Sequence, residues 1–249
     1  MGEKLRPVIL APWHPDAPMQ LKGLSPACFV AGTETAQRFL AGAYDSVEAV
    51  LGNLQLIRSM REAETGDIRG RLTANEEDLL RAAIVFTGAG LDATLKQLIR
   101  DTLGALLKSS DLSHDKFEEF AAKRLGTGEI AEPKMIARYL TSETPRERLI
   151  EDYIYDLTGS SLQSAEEVDR AAGALGIDEG GLRKRINELR PLFVARNQIA
   201  HELDLRRPER RGDRARRTRS IGPTKDLCHE GLEVAQLIIN ATGELLSAS

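Results

Sequence analysis

The chain has few aromatic residues and few cysteines, and each shortage excludes a class of protein. Aromatic side chains make up 4% of its 249 residues, too few for a large β-sandwich core or for the stacked platforms that bind single-stranded nucleic acid. Two cysteines, Cys28 and Cys228, cannot form a disulfide framework. We therefore expect reduced thiols in a cytoplasmic protein.

The sequence pattern also lacks membrane segments. No apolar run approaches the roughly 18 residues that a transmembrane helix needs. The first ten residues lack the apolar stretch of a secretory signal peptide. We expect neither a membrane-spanning segment nor a membrane partner.

Several motifs for phosphate, acyl or metal chemistry are missing as well. The chain contains no G-x-x-x-x-G-K phosphate loop and no G-x-S-x-G nucleophile turn. Its four histidines, His14, His114, His201 and His229, do not pair with one another at the spacing of metal ligands. The sequence therefore predicts neither a metal site nor a cofactor.

Helix-forming and charged residues are abundant. Hydrophobic residues make up 41% and charged residues 29%, which is typical of a globular protein, and the Ala and Leu that dominate the apolar set favour helices. The net charge of −4 is unevenly distributed, since residues 206–219 hold eight arginines against Glu209 and Asp213. Such a segment indicates either contact with a polyanion or a solvated, disordered loop.

The first 33 residues differ in pattern from the rest of the chain. They contain five prolines without a hydrophobic period, so we expect an irregular arm that packs on the body through Trp13 and Phe29. Apolar residues then recur every three or four positions, first over 34–61. We interpret residues 34–249 as a single all-α domain, a bundle of about seven to nine helices.

The second helix carries an unusual pair of glycines. Thr73 and Glu76 form a capping box that opens this helix, which continues to about Lys108. Gly88 and Gly90 lie in its middle, where each glycine costs about 1 kcal/mol relative to alanine. We interpret them as positions where a neighbouring helix approaches closely.

Capping residues and prolines indicate the later helices. Ser164 with Glu167 forms another capping box. Asp178 is expected to cap a helix reaching about residue 203, with a kink or restart at Pro191. The remaining helices are expected near residues 114–125, 133–140, 145–157 and 225–246.

The segment with chemical potential is Leu192-Phe-Val-Ala-Arg-Asn-Gln-Ile-Ala-His-Glu-Leu203. Arg196, Asn197 and His201 fall within two turns of an otherwise apolar helix, where unpaired polar groups would be costly to bury. The spacing of the Arg and the His has no significance by itself. A structural histidine that is fully hydrogen-bonded is the alternative interpretation of His201.

This segment resembles a known family. Arg196-Asn-Gln-Ile-Ala-His201 is similar to the Arg-x(4–6)-His signature of the HEPN superfamily, the higher-eukaryote and prokaryote nucleotide-binding domains, which are compact helical bundles. Asn197 matches the polar residue that follows the Arg in many members. Asp92 matches an acidic residue of an earlier helix that faces the motif, although it could equally pair with a nearby cation. The match covers residues 74–105 and 180–246, within which the basic residues 205–223 look like an insertion.

The resemblance implies a metal-independent endoribonuclease. In catalytic members the RNA 2′-hydroxyl attacks the adjacent phosphate and leaves a 2′,3′-cyclic phosphate. The residue types agree with this chemistry, because histidine titrates near neutral pH and arginine matches phosphate oxygens. Arg196, His201, Asn197 and Asp92 would then be the catalytic residues.

A single histidine does not easily act as both acid and base. Arg196 and His201 also lie about 140° apart around a helix axis, whereas Asn197 and His201 share a face. Because family members commonly pair as two-fold dimers, we expect a homodimer with a composite site. The resemblance also implies a bacterial toxin or antiviral defence setting, with an antitoxin or defence-system protein as a further partner.

RNA is the expected substrate, and the basic segment is its expected backbone contact, with Arg206, Arg207, Arg210 and Arg211 as the binding residues. The alternative function is a non-catalytic HEPN-like adaptor that binds a nucleotide, RNA or a protein. A DNA-binding regulator is disfavoured, since no helix-turn-helix with a clear recognition helix is visible.

Overall fold

The computed structural model describes residues 19–66, 71–126 and 133–248, which form nine helices and no strand. The helices are α1 Glu34–Thr65, α2 Ala74–Ser109, α3 Asp111–Leu125, α4 Pro133–Leu140, α5 Pro145–Thr158, α6 Ala165–Ala174, α7 Gly180–Glu188, α8 Arg190–Glu202 and α9 Ile221–Ser247. An isolated β-bridge joins Leu205 to Arg216. The expected all-α bundle is confirmed.

Helices α1 and α2 form the longest pair, and their ends follow the capping chemistry. α1 ends at Gly66, whose left-handed backbone lets its N–H donate to the Glu62 carbonyl. The capping box of Thr73 and Glu76 opens α2 as predicted. Arg61 pairs with Glu76 at 2.9 Å, while Ala43 meets Gly90 farther along, so the two helices are antiparallel.

Helix α2 lies at the centre of the fold, in contact with α1, α3, α5, α8 and α9. One face of this helix is fully buried, including Ile84, Leu91, Leu95 and Leu98. Burial of a leucine-sized side chain contributes about 1.5–3 kcal/mol. The hydrophobic core is therefore built around this helix.

The two mid-helix glycines of α2 are close-contact positions, as predicted. A Cβ at Gly90 would overlap the Cβ of Ala43 on α1, and a Cβ at Gly88 would lie 3.1 Å from Cγ of Arg196 on α8. Gly231 of α9 is equally confined, since its Cβ would lie 2.9 Å from Cγ2 of Thr87. Small residues thus let three helices approach one turn of α2.

The helices after residue 175 partly differ from prediction. The chain does break before Pro191: α7 ends at Glu188, and α8 restarts with the proline in its first turn, where the missing N–H costs no hydrogen bond. The expected cap at Asp178 is wrong, because Glu179 occupies the N-cap and the Asp178 carboxylate pairs with Arg183 at 3.0 Å.

The last helix begins earlier than predicted. α9 begins at Ile221, one turn before the expected start at residue 225. Ile221 is 6% exposed, and this burial stabilises the added turn. The last three residues assigned to the insertion, 221–223, therefore belong to α9.

Residues 19–33 run irregularly along α1 and α9 and are held through their backbone. The amide of Ser25 donates to Glu233 at 2.9 Å, and that of Cys28 donates to Asn240 at 2.9 Å. The expectation that Phe29 packs on the body is wrong, since the side chain is 77% exposed. Trp13 and His14 lie outside the described residues.

None of the helices in the described ranges combines the length and the apolarity needed to cross a bilayer. This agrees with the absence of long apolar runs in the sequence.

The contact at Gly90 can be tested by two matched substitutions on α2. Gly90→Ala should lower the free energy of unfolding by about 1–3 kcal/mol, because the added methyl group overlaps Ala43. Gly104→Ala is the control: its Cβ meets nothing within 4 Å, so the helix should gain up to about 1 kcal/mol. Urea unfolding followed by circular dichroism measures both, and equal effects would contradict the contact.

Candidate active site

The motif residues lie in the C-terminal half of α8 and converge on one exposed surface. Asn197 and His201 are exposed and Arg196 is half-buried. Nη1 of Arg196 donates to Oδ1 of Asn197 at 3.1 Å and lies 3.4 Å from Nε2 of His201. The structure therefore brings these three predicted residues together, although Arg196 and His201 leave the helix about 140° apart.

A glycine on α2 explains how Arg196 reaches the histidine. The aliphatic stem of Arg196 lies over Gly88, where any side chain would crowd its Cγ. The stem therefore runs along the surface of α2, and the guanidinium turns back toward the exposed face of α8. The arginine side chain is long enough to reach His201 around the helix, which a short side chain could not do.

Gln163, in the loop between α5 and α6, is a site residue that sequence reasoning missed. Its Oε1 accepts a hydrogen bond from Nη1 of Arg196. Its own backbone amide donates to Glu167 at 2.7 Å, which ties it to the first turn of α6. Its place directly before the capping serine Ser164 gives no hint of contact with a residue 33 positions away.

Asp92 contributes to this arrangement indirectly, through the loop that contains Gln163. Its Oδ1 accepts from the backbone N–H of Leu162 at 2.6 Å, and its Oδ2 pairs with Lys96 at 3.0 Å. The described contacts of Asp92 thus do not include Arg196 or His201. Asp92 holds the loop that presents Gln163 to the guanidinium, and the nearby cation considered as its alternative partner is present.

The contact between Arg196 and His201 is compatible with a neutral imidazole. A guanidinium has no acceptor and only donates. For this contact to be a hydrogen bond, Nε2 of His201 has to be the acceptor, with the ring proton on Nδ1. A neutral imidazole with an accessible acceptor nitrogen is the form that can act as a general base.

Directly after α8, the basic segment forms an ordered turn, here called the Arg loop (residues 205–220). The amide of Arg206 donates to the Ala215 carbonyl and that of Arg217 to the Asp204 carbonyl, both at 2.8 Å. Leu203 and Asp204 adopt left-handed backbone angles, with φ of 51° and 58°. These two residues end α8 and turn the chain into the loop.

The base of the Arg loop is anchored by a buried carboxylate. Asp204 is 0% exposed and accepts from Nε of Arg81 at 2.8 Å and from Nε of Arg219 at 3.0 Å. Burial lowers the pKa of Arg81, but its hydrogen bonds to Asp204 and Glu77 outweigh that effect and raise the pKa overall. The Arg81 guanidinium therefore remains charged, as its pairing with Asp204 requires.

The arginines of the loop fall into two groups. Arg216 and Arg217 pair with Asp78 and Glu202, and Arg219 with Asp204, so these three fasten the loop to the body. The other five are exposed and form no ion pair within the described ranges: Arg206, Arg207, Arg210, Arg211 and Arg214. All four predicted RNA-binding arginines belong to this second group.

One cluster of possible cation ligands also escaped the sequence reasoning. His114, Asp115 and Glu118 of α3 place their ligand atoms within 4.8 Å of one another. The residues are exposed, and exposed carboxylates commonly cluster on helix surfaces. The signal available in the sequence was a His-Asp-x-x-Glu spacing on one helix.

The chain matches no family model, no curated protein and no solved structure. The resemblance to the HEPN superfamily therefore stays a prediction from the sequence.

The anchor at Asp204 predicts a coupled loss of stability and loop order. Asp204→Asn should lower the free energy of unfolding by about 3 kcal/mol, because two partly buried guanidinium groups lose their shared charge. The amides of Arg206 and Arg217 should also lose protection against hydrogen exchange. Glu209→Gln, on the exposed part of the loop, is the control and should leave both measurements unchanged. Retained protection in the Asp204 variant would contradict the anchor.

Proposed function

We propose that this chain is a metal-independent endoribonuclease of the HEPN type, which cleaves RNA by 2′-hydroxyl transesterification. The observation that supports it most is the 3.4 Å approach of Arg196 Nη1 to His201 Nε2 on an exposed surface. A base and a phosphate-binding cation are the two groups that this reaction needs at one phosphodiester.

In this proposal Nε2 of His201 removes the proton from the RNA 2′-hydroxyl. The 2′-oxygen then attacks the adjacent phosphorus, and the bond from phosphorus to the 5′-oxygen breaks. Arg196 donates to the phosphate oxygens, where negative charge increases in the transition state. Asn197, one turn before His201, orients the imidazole.

The departing 5′-oxygen needs a proton, and one histidine cannot easily serve both steps. We assign this second role to the same motif of a second copy of the chain, in a composite site at a two-fold axis. The exposure of His201 and Asn197 leaves room for such a second surface.

The Arg loop supplies the expected contact with the RNA backbone. It begins four residues after His201, and the five arginines that form no ion pair within the described ranges make a positive surface next to the motif helix. Phosphate contacts of this kind bind without regard to sequence and weaken as salt displaces them. The cytoplasmic location, the toxin or antiviral setting and the antitoxin or defence-system partner follow from the family resemblance and belong to this proposal.

A second candidate is a non-catalytic HEPN-like module that binds a nucleotide, RNA or a protein. The observation that favours it is the closed network around Arg196, whose guanidinium already reaches acceptors on Gln163, Asn197 and His201. A purely structural network would have the same geometry. The two candidates differ in whether bound RNA is cut.

Cleavage is tested with purified protein, RNA and a metal chelator. Wild-type protein should yield 2′,3′-cyclic phosphate ends, and His201→Ala or Arg196→Ala should slow cleavage by about 10²–10⁴-fold, the usual contribution of an acid–base group. His114→Ala, which removes an exposed histidine of α3, is the matched control and should cleave normally. RNA binding without any cleavage would support the adaptor, and full activity of His201→Ala would exclude the proposed mechanism.

The role of the Arg loop is tested by the salt dependence of RNA binding. Replacing Arg206, Arg207, Arg210 and Arg211 by Gln should reduce the slope of log affinity against log salt by about 3, since each phosphate contact on a single strand contributes roughly 0.7. Replacing Lys116 and Arg148, exposed cations of α3 and α5 that pair with neighbouring acids, should leave the slope unchanged. An unchanged slope in the loop variant would place the RNA elsewhere.

A further inference from the structure

The outer face of α1 is exposed and carries no charge along most of the helix. Eight exposed positions on this face repeat at alternating intervals of three and four residues. They are Phe39, Gly42, Ser46, Ala49, Asn53, Leu56, Met60 and Ala63, here called the α1 seam. In a chain with 29% charged residues, an uncharged stripe of this length is a marked departure from an ordinary solvated surface.

Helix α1 therefore has an apolar face and, opposite it, an uncharged face with large apolar side chains. Its inner face is buried in the core, with Leu40, Val47, Leu51 and Leu54 at most 1% exposed. The outer face leaves Leu56 59% exposed and Met60 57% exposed. Large apolar side chains grouped on one face indicate a surface that a partner covers, and the described part of the chain does not cover them.

The intervals of the α1 seam are those of a coiled coil. An alternation of three and four keeps a stripe in line with a partner helix that packs at a shallow angle. From Phe39 to Ala63 the seam extends for about 36 Å at 1.5 Å per residue. A partner helix of similar length can therefore contact the seam throughout.

The sizes of the seam residues define the orientation of that partner. The N-terminal half has the small Gly42, Ser46 and Ala49, whereas the C-terminal half has Leu56 and Met60. When two copies of α1 are placed antiparallel about Leu51, Met60 faces Gly42, Leu56 faces Ser46, Asn53 faces Ala49 and Ala63 faces Phe39. Large residues then meet small ones at three of the four levels, as close packing requires.

The charged residues near the two ends of α1 also favour the antiparallel register. The antiparallel arrangement brings the exposed Arg38 at the start of one helix beside the acidic last turn of the other, with Glu62 and Glu64. A parallel arrangement would instead place Met60 on Met60 and like charges at each end. Gly42 and Gly52 have open space where a Cβ would be, so another helix can approach there without a clash.

We propose that the α1 seam is a docking surface for a second copy of this chain, which pairs with it antiparallel about Leu51. The proposal rests on the sequence and exposure of α1 and does not depend on the ribonuclease proposal. No residue of the seam belongs to the candidate active site.

The oligomeric state gives the first test. Wild-type protein should sediment as a dimer if the seam is the sole contact, or as a tetramer if the composite site pairs as well. Leu56→Glu with Met60→Glu should weaken the seam contact by about 100-fold or more and halve the number of chains in the particle, because unpaired charges would be buried in the seam. Tyr155→Glu, on the exposed surface of α5, is the matched control and should keep the wild-type number of chains. Circular dichroism checks that each variant stays folded.

The register gives the second test, in a Cys28→Ser background, since Cys228 is buried. A short bis-maleimide should link Gly52→Cys chains to one another, because this position lies beside the proposed axis. It should not link Gly42→Cys chains, whose substituted positions would be about 27 Å apart, but it should link Gly42→Cys to Met60→Cys in a mixture.

Three results would overturn the proposal. Self-linkage of Gly42→Cys chains would show a parallel pair, and a number of chains per particle that the two glutamates leave unchanged would place the contact on another surface. A monomeric wild type would exclude a second copy as the partner of the seam. The remaining candidate would be residues 1–18 of the same chain, because they join the described structure at Met19, whose amide donates to Gln55 beside Leu56. Loss of the dimer without loss of RNA cleavage would leave this proposal intact and separate it from a composite active site.

Discussion

One face of α2 fixes every part of the candidate site. Arg81, Gly88 and Asp92 lie seven and four residues apart, so they follow one another along the same side of the helix. Arg81 binds the base of the Arg loop through Asp204, Gly88 supports the stem of Arg196, and Asp92 holds the loop that carries Gln163. The relative positions of the three depend on a single helix, which has buried residues along its whole length. A site built on such a rigid element keeps its geometry more closely than one built on loops.

The same stretch of α2 also explains why glycine is used where it weakens a helix. Gly88 faces α8, and Gly90 faces Ala43 of α1 and Leu232 of α9. A larger residue at Gly88 would displace Arg196, and one at Gly90 would push α1 outward. The local cost of about 1 kcal/mol per glycine is offset by the burial that close packing of three helices provides. Stability and the geometry of the site therefore depend on the same few atoms.

Much of the fold could be predicted from the sequence, because it is encoded locally. The capping box at Thr73 and the break before Pro191 depend on residues within one turn. The site was predictable only in part. Arg196, Asn197 and His201 lie on one short helix, whereas Gln163 and Asp204 join the site and its loop through contacts 33 and 123 residues apart in sequence. Such long-range polar contacts leave no periodic signal, and for the same reason the contact of Asp92 with the backbone of Leu162, 70 residues away, was not visible.

The electrostatic state of Arg196 distinguishes it from the other arginines that touch the site. Arg81, Arg217 and Arg219 each face a carboxylate that balances their charge. Arg196 contacts Gln163, Asn197 and His201, all neutral acceptors, and forms no ion pair with any acid in the described ranges. A phosphate oxygen is a stronger acceptor for a guanidinium than an amide is. An anionic phosphodiester can therefore displace these neutral contacts at low cost, whereas it could not compete with a buried carboxylate. An arginine kept charged, half-exposed and without an acid partner is better suited to bind a phosphate than to stabilise the fold.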